Sequence, residues 1–228
     1  KNRIINGDFG VWQRGTSFTP STGVPTYTAD RFLVYVDGTV SCTASRQSFT
    51  IGTAPVTGYE GQYFLRTATT SQSGGSGTYQ GQRIEDVRTF ANQTVTFSLW
   101  AKADTNRTYA MYFTQNFGTG GSSAVNTSAT NISVTTSWQR FTHKVTISST
   151  ATQVAINFAY TPTGTAGAAD YFEIDGVQLE EGNIATNFEF EPFETPLAKV
   201  KATYFQLPSA IRVANFSMHT TSLLFTAS

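Results

Sequence analysis

Cys42 is the only cysteine among 228 residues. Intrachain disulfides and cysteine-based metal clusters are therefore excluded, and the fold must stand on its core. Charge is also scarce: Asp, Glu, Lys and Arg together make up 13% of the chain, well below the usual quarter. The 15 basic and 15 acidic residues cancel, and no Lys/Arg run stands out. That removes the electrostatic footprint of a nucleic-acid binder and the polybasic stretch that seeks anionic lipid. No segment approaches the ~18–20 apolar residues of a membrane-spanning helix. Histidine is limited to His143 and His219. GxSxG, HExxH, phosphate-loop and dinucleotide motifs are missing, so the common catalytic constellations have no foothold.

What is present points to strands. Apolar residues are 39% and aromatics 14% of the chain, enough to build a core, and Ser, Thr, Asn, Gln and Gly fill the rest. Alternation of period two recurs: Phe32, Val34 and Val36 share a face, as do Val95, Phe97 and Leu99. Phe141, Val145 and Ile147 form another row, and Val154, Ile156, Phe158 and Tyr160 a fourth. These are half-buried antiparallel strands. The tracts 16–26, 71–77, 118–123 and 161–168 read as turns. A 3.6-residue period never persists for three turns; a weak turn over 83–90 is the nearest approach. Many short strands joined by Gly/Ser/Thr/Pro turns predict an all-β sandwich or barrel.

Within Tyr171–Leu179 the apolar set sits on even positions (Phe172, Ile174) and then on odd ones (Val177, Leu179). One extra residue at Asp175-Gly176 explains the phase change, which is the signature of a β-bulge and turns Asp175 towards a loop or an ion. The adjacent pairs Glu85/Asp86 and Glu180/Glu181 point to opposite faces of a strand and cannot span a glycosidase cleft. A cross-pair of Glu85 with Asp175 stays open. His143 alternates with Phe141 and Val145, on an apolar face. The reading is a non-enzyme.

Several segments together resemble a module of bacteriophage fibre and virion surface proteins, itself similar to the jelly-roll carbohydrate-binding modules of glycoside hydrolases. They are NRIINGDF (Asn2–Phe9), TADRF (Thr28–Phe32), QRIEDVR (Gln82–Arg88), FSLWAKA (Phe97–Ala103), QNFG (Gln115–Gly118), SWQRF (Ser137–Phe141) and IDGVQLEEG (Ile174–Gly182). The likeness covers about residues 2–195. It implies two antiparallel sheets in a jelly roll, a sugar-holding face or loop rim, and a structural calcium ion. Asp8 and Asp175, with nearby carbonyls, are the candidate calcium ligands. The stretch from Leu197 onward departs from the LCQRYY pattern common in phage relatives. The expected organisation is a jelly-roll domain over 1–187, a linker over 188–198 and a C-terminal β segment over 199–228 that serves oligomerisation or opens a second domain.

Sugar recognition needs flat aromatic faces flanked by amide and guanidinium groups. Residues outside the core rows supply the candidates: Tyr79, Gln82, Arg83, Trp100, Tyr112, Gln115 and Phe117. For these the competing role is packing against a subunit or a loop; Trp12 and Trp138 read as edge packing. The leading function is a virion-surface or fibre protein that presents a sugar-binding module to host glycan, as a homo-oligomer with a trimer favoured. The alternatives are an architectural head-fibre, decoration or tail component without a sugar site, and an ancillary module of a secreted hydrolase. Host glycan and other virion proteins are the expected partners, with no nucleic acid and no membrane insertion.

Overall fold

The computed structural model describes residues 2–71, 77–84, 87–161 and 170–204. Among the described residues, twelve strands form in chain order: β1 (Ser17–Phe18), β2 (Thr26–Tyr27), β3 (Phe32–Val36), β4 (Ser41–Ser48), β5 (Tyr63–Ser71), β6 (Thr78–Ile84), β7 (Thr94–Ala103), β8 (Arg107–Asn116), β9 (Val125–Val134), β10 (Gln139–Thr146), β11 (Gln153–Tyr160) and β12 (Asp170–Glu181). They divide into two antiparallel six-stranded sheets. Sheet A runs β1-β4-β5-β12-β7-β10 and sheet B runs β2-β3-β6-β11-β8-β9. Sequence neighbours β3 and β4, or β7 and β8, fall in different sheets. The result is a sandwich, one of the two all-β forms that the alternating rows predict, in the two-sheet jelly-roll arrangement that the resemblance implies.

The inward rows meet in one core. Tyr109 and Phe158 on sheet B stack at 5.0 Å, and Phe172 of sheet A meets Tyr109 edge-on at 5.0 Å. Phe97 and Phe113 make a second cross-sheet edge contact at 6.0 Å. Each fully buried aromatic of this kind contributes roughly 1.5–3 kcal/mol, and together they replace the missing disulfides. His143 takes its expected place on the core face, with Nδ1 at 3.0 Å from the Thr130 hydroxyl across the sandwich.

The polar motifs near the start act as structural hubs. Asn6 is buried in a left-handed conformation (φ 63°). Its amide donates to the Val11 and Asp30 carbonyls, and its oxygen accepts the Val11 N–H. Asp30 is fully buried, pairs with Arg14 at 2.8 Å and accepts the Gln13 N–H. The leading segment then runs along β12 through Arg3 N–H to Leu179 and Val177 N–H to Gly7.

Two expectations about the far end need correction or fall out of view. Residues 194–201 were expected as the end of an extended linker and the start of a β segment. Glu194–Lys201 forms a helix instead, α1. Pro196 sits in its first turn, where a missing N–H costs nothing, and Val200 is fully buried. The helix end is anchored by Tyr204, whose ring lies 3.4 Å beneath the Arg14 guanidinium. His219, Glu85, Asp86 and the apolar pieces beyond Tyr204 lie outside the described residues.

Candidate functional site

The outer face of sheet B carries three half-buried tyrosines, Tyr35, Tyr79 and Tyr112. Ladder register fixes three rows across it. Tyr35, Tyr79, Ala159 and Ala110 form the first. Leu33, Gly81, Asn157 and Tyr112 form the second, and Arg83, Ala155 and Thr114 the third. The middle of the face is thus a floor of Gly81, Ala110, Ala155, Ala159 and Asn157. Tyr35 and Tyr79 stand on one side, their rings 5.9 Å apart, and Tyr112 stands on the other. With strands ~4.8 Å apart, β3 and β8 are separated by about 14 Å, the breadth of a short oligosaccharide.

Gly81 keeps the floor low for a steric reason. A Cβ there would lie 2.0 Å from the Ile156 carbonyl oxygen, so no side chain can be carried without moving backbone. Asn157 supplies the polar part: its amide donates to the Thr114 hydroxyl at 2.9 Å, which in turn donates to Asn126 Oδ1 at 2.8 Å. Tyr79 and Tyr112 stay neutral. Burial, and then Tyr79, push the Tyr112 hydroxyl up to about 12. Burial, Asp37 and Tyr35 also raise Tyr79. Neutral hydroxyls beside flat rings and amides are the groups that hydrogen-bond and stack against sugars.

Four predicted site residues belong elsewhere. Trp100 faces outward, but from sheet A, on the opposite side of the sandwich from Arg83 and Tyr112. It packs over the bulge, where a Cβ on Gly176 would come within 2.9 Å of its ring. Gln82 is buried and holds the leading segment, accepting the Ile5 N–H at 2.9 Å and donating to the Ile5 carbonyl at 2.8 Å. Gln115 is also buried; it donates to the Thr127 hydroxyl and accepts the Ser148 N–H, both at 2.8 Å. Phe117 lies past the end of β8, half-buried beside the Gly118 turn. Tyr79, Arg83 and Tyr112 remain on one face, joined there by Tyr35 and Asn157, which the sequence reading left out. Parity was the available signal: Tyr35 alternates with Val34 and Val36, and Asn157 with Ile156 and Phe158.

The bulge is where the phase change placed it, with the β12–β7 register slipping between Asp175 and Gln178 and Gly176 at φ 56°. Asp175 leaves the core side and points out from sheet A, yet the loop carrying Val56, Tyr59 and Gly61 covers it. It is fully buried, and among the described residues neither carboxylate oxygen has a hydrogen-bond partner. Loss of solvation drives its pKa well up, and the nearby Asp8 charge adds to the effect. Asp8 is likewise raised by burial, although it accepts the Tyr59 hydroxyl at 3.0 Å. A fully buried carboxylate without a hydrogen-bond partner among the described residues, beside the half-buried Asp8, suits a hard cation. No group of three His, Cys, Asp or Glu side chains stands together among the described residues. A cation here would take two carboxylates, with carbonyl oxygens making up the rest.

No family model and no curated protein matches the chain. Solved structures do. A Stig cyclase from Fischerella sp. aligns with a TM-score of 0.52 at 11% identity, over 81% of this chain and 98% of that one. A proposed sugar binding protein from Bacteroides thetaiotaomicron aligns at 0.50 and 11% identity, over 80% and 100%. The enzymatically active domain of a tailspike protein from bacteriophage CBA120 aligns at 0.46 and 14% identity; 79% of this chain matches, spanning 21% of that one. The chain therefore has a jelly-roll β-sandwich fold, shared with that Bacteroides protein and that Stig cyclase.

Proposed function

We propose that the outer face of sheet B is a saccharide-binding platform. The observation that carries this reading is the pairing of Tyr35 and Tyr79 with Tyr112 across a floor cleared of side chains at Gly81. An extended glycan lies across the strands, its ring faces on the tyrosines and its hydroxyls on Asn157 and Thr114. Adding the sequence resemblance to phage fibre modules, the protein is a virion-surface component that attaches to host glycan, without catalysis. A shallow site of about millimolar affinity supplies only about −4 kcal/mol. Display in several copies, as in a homotrimeric fibre, raises avidity by roughly 10²–10⁴. A calcium ion held by Asp8 and Asp175 belongs to the same reading. It neutralises the buried Asp175 and the half-buried Asp8 and pins the covering loop to the bulge, away from the sugar face.

A glycan array tests the platform. The wild type binds a defined set of oligosaccharides, and Tyr79→Ala and Tyr112→Ala each remove that binding while keeping the thermal transition. An empty array together with tight binding to capsid or tail protein would replace the sugar site with an architectural role.

A further inference from the structure

An unpaired strand at the edge of a sheet offers backbone donors and acceptors to any other strand, so folded proteins guard their edges. Three of the four edges formed by the described residues are guarded by shortness or charge. β1 and β2 are two residues each, and β10 carries Arg140 and Lys144. β9 differs. It ends sheet B, is ten residues long and contains neither a charged residue nor a proline.

A bulge guards only its first half. The β8–β9 register slips between the pairs Met111–Thr130 and Phe113–Thr127, which leaves one extra residue in β9. Past the slip the ladder is regular up to Val134. Val134 is fully buried, whereas Thr130, Asn131 and Ser133 are exposed and Ile132 is half-buried against the core. Among the described residues, no backbone group of 130–133 bonds to an element other than β8. Register also fixes the faces. Thr130 and Ile132 lie opposite the buried Met111 and Tyr109 and take the core side; Asn131 and Ser133 take the outer side.

We infer that 130–133 is a self-pairing edge, on which a second copy of this chain lays its own β9 antiparallel about a two-fold axis. Opposed residues of an antiparallel pair share a face, so the axis passes through a residue. Centring it on Ile132 would require the fully buried Val134 to pair, so it falls at Asn131. There two copies of Asn131 meet, each amide both donor and acceptor, and on the core side Thr130 closes over the half-buried Ile132 of the second copy. No like charges meet across this ladder, which suits the strand to its own copy; nothing on it selects the charge of a foreign strand. The contact is isologous and closes at two copies. It stands independently of the saccharide reading and adds one consequence to it. Sheet B becomes a continuous twelve-stranded sheet with both tyrosine faces on the same side, the two Tyr112 residues about 20 Å apart by strand spacing and rise.

The test uses the full chain. Asn131→Cys is held under mild oxidation at about 100 µM, where a small interface of the weak class is populated. Self-opposed residues lie about 4.5–5.5 Å apart at Cα, within disulfide reach, and the buried Cys42 does not compete. The expected product is a covalent dimer on a non-reducing gel, formed at least about tenfold faster than from Thr142→Cys, because pairing raises the local thiol concentration. Thr142 is an exposed position on β10. A second readout needs no cysteine. Asn131→Lys sets two like charges across the axis, so its amides at 130–133 exchange with solvent roughly fivefold or more faster than those of the wild type, at an unchanged melting temperature. Equal cross-linking of the two cysteine variants, or equal exchange at 130–133 in Asn131→Lys and wild type, overturns the self-pairing.

Discussion

Chelation is the perturbation that tests the proposed calcium ion at Asp175 most directly. The carboxylate is fully buried and, among the described residues, unpartnered, with Asp8 close enough to repel it. An isolated buried carboxylate costs several kcal/mol after relaxation, so the metal-free fold carries that cost at neutral pH. Calcium at a hundredfold excess over its dissociation constant returns about 2.7 kcal/mol. For a domain of this size each kcal/mol moves the midpoint by about 2–4 °C, so chelation lowers the melting temperature by about 5–11 °C. Differential scanning fluorimetry of calcium-replete protein with and without EGTA measures it. Asp175→Asn should reverse sign between the two conditions. In EGTA it melts at or above the wild type, because a charge has been removed from the interior; in calcium it melts below, because a ligand is lost. A wild-type midpoint that moves by less than about 1 °C in EGTA would refute the reasoning.

Two further outcomes follow from the core and the floor. Burial holds His143 below its ordinary value of 6.5, so the folded state favours the neutral ring. The associated stability is present above pH 6.5 and is lost as pH falls through the folded-state value. Urea denaturation between pH 7.5 and 5 should therefore show a loss that His143→Phe flattens, the new ring packing near Phe113; parallel curves would remove His143 as the cause. Gly81→Ala forces a methyl group to within 2.0 Å of a backbone oxygen. It should cost about 1–3 kcal/mol by the same method and weaken glycan binding by lifting the floor.

Alternation carried much of this architecture into view. The rows of β3, β7, β10 and β11, the inward His143 and the bulge at Asp175-Gly176 all follow from side-chain parity, which a strand enforces locally. Parity says which side of its own sheet a residue takes and nothing about which sheet the strand joins. Trp100 was therefore grouped with Arg83 and Tyr112, although β7 pairs with β12 and β10 in the other sheet. Gln82 and Gln115 failed for a different reason. Both are in phase with core residues, Ile84 and Phe113, but their polarity argued for the surface. Their amides are satisfied by Ile5, Thr127 and Ser148, tertiary partners that local pattern does not reveal. Helix α1 escaped because eight residues are too short for a clear period, and Phe193 at its start offers no side-chain cap. The lack of partners around Asp175 depends on the covering loop at 56–61, so its full burial was beyond sequence pattern.

The most direct test of the sugar platform is a crystal structure of the protein soaked with the best oligosaccharide from the glycan array. The account predicts sugar rings lying on Tyr79 and Tyr112 over Gly81, with hydroxyls bonded to Asn157. Density for the sugar on sheet A, around Trp100 or Trp138, or at the loop rim with the sheet B face bare, would contradict it.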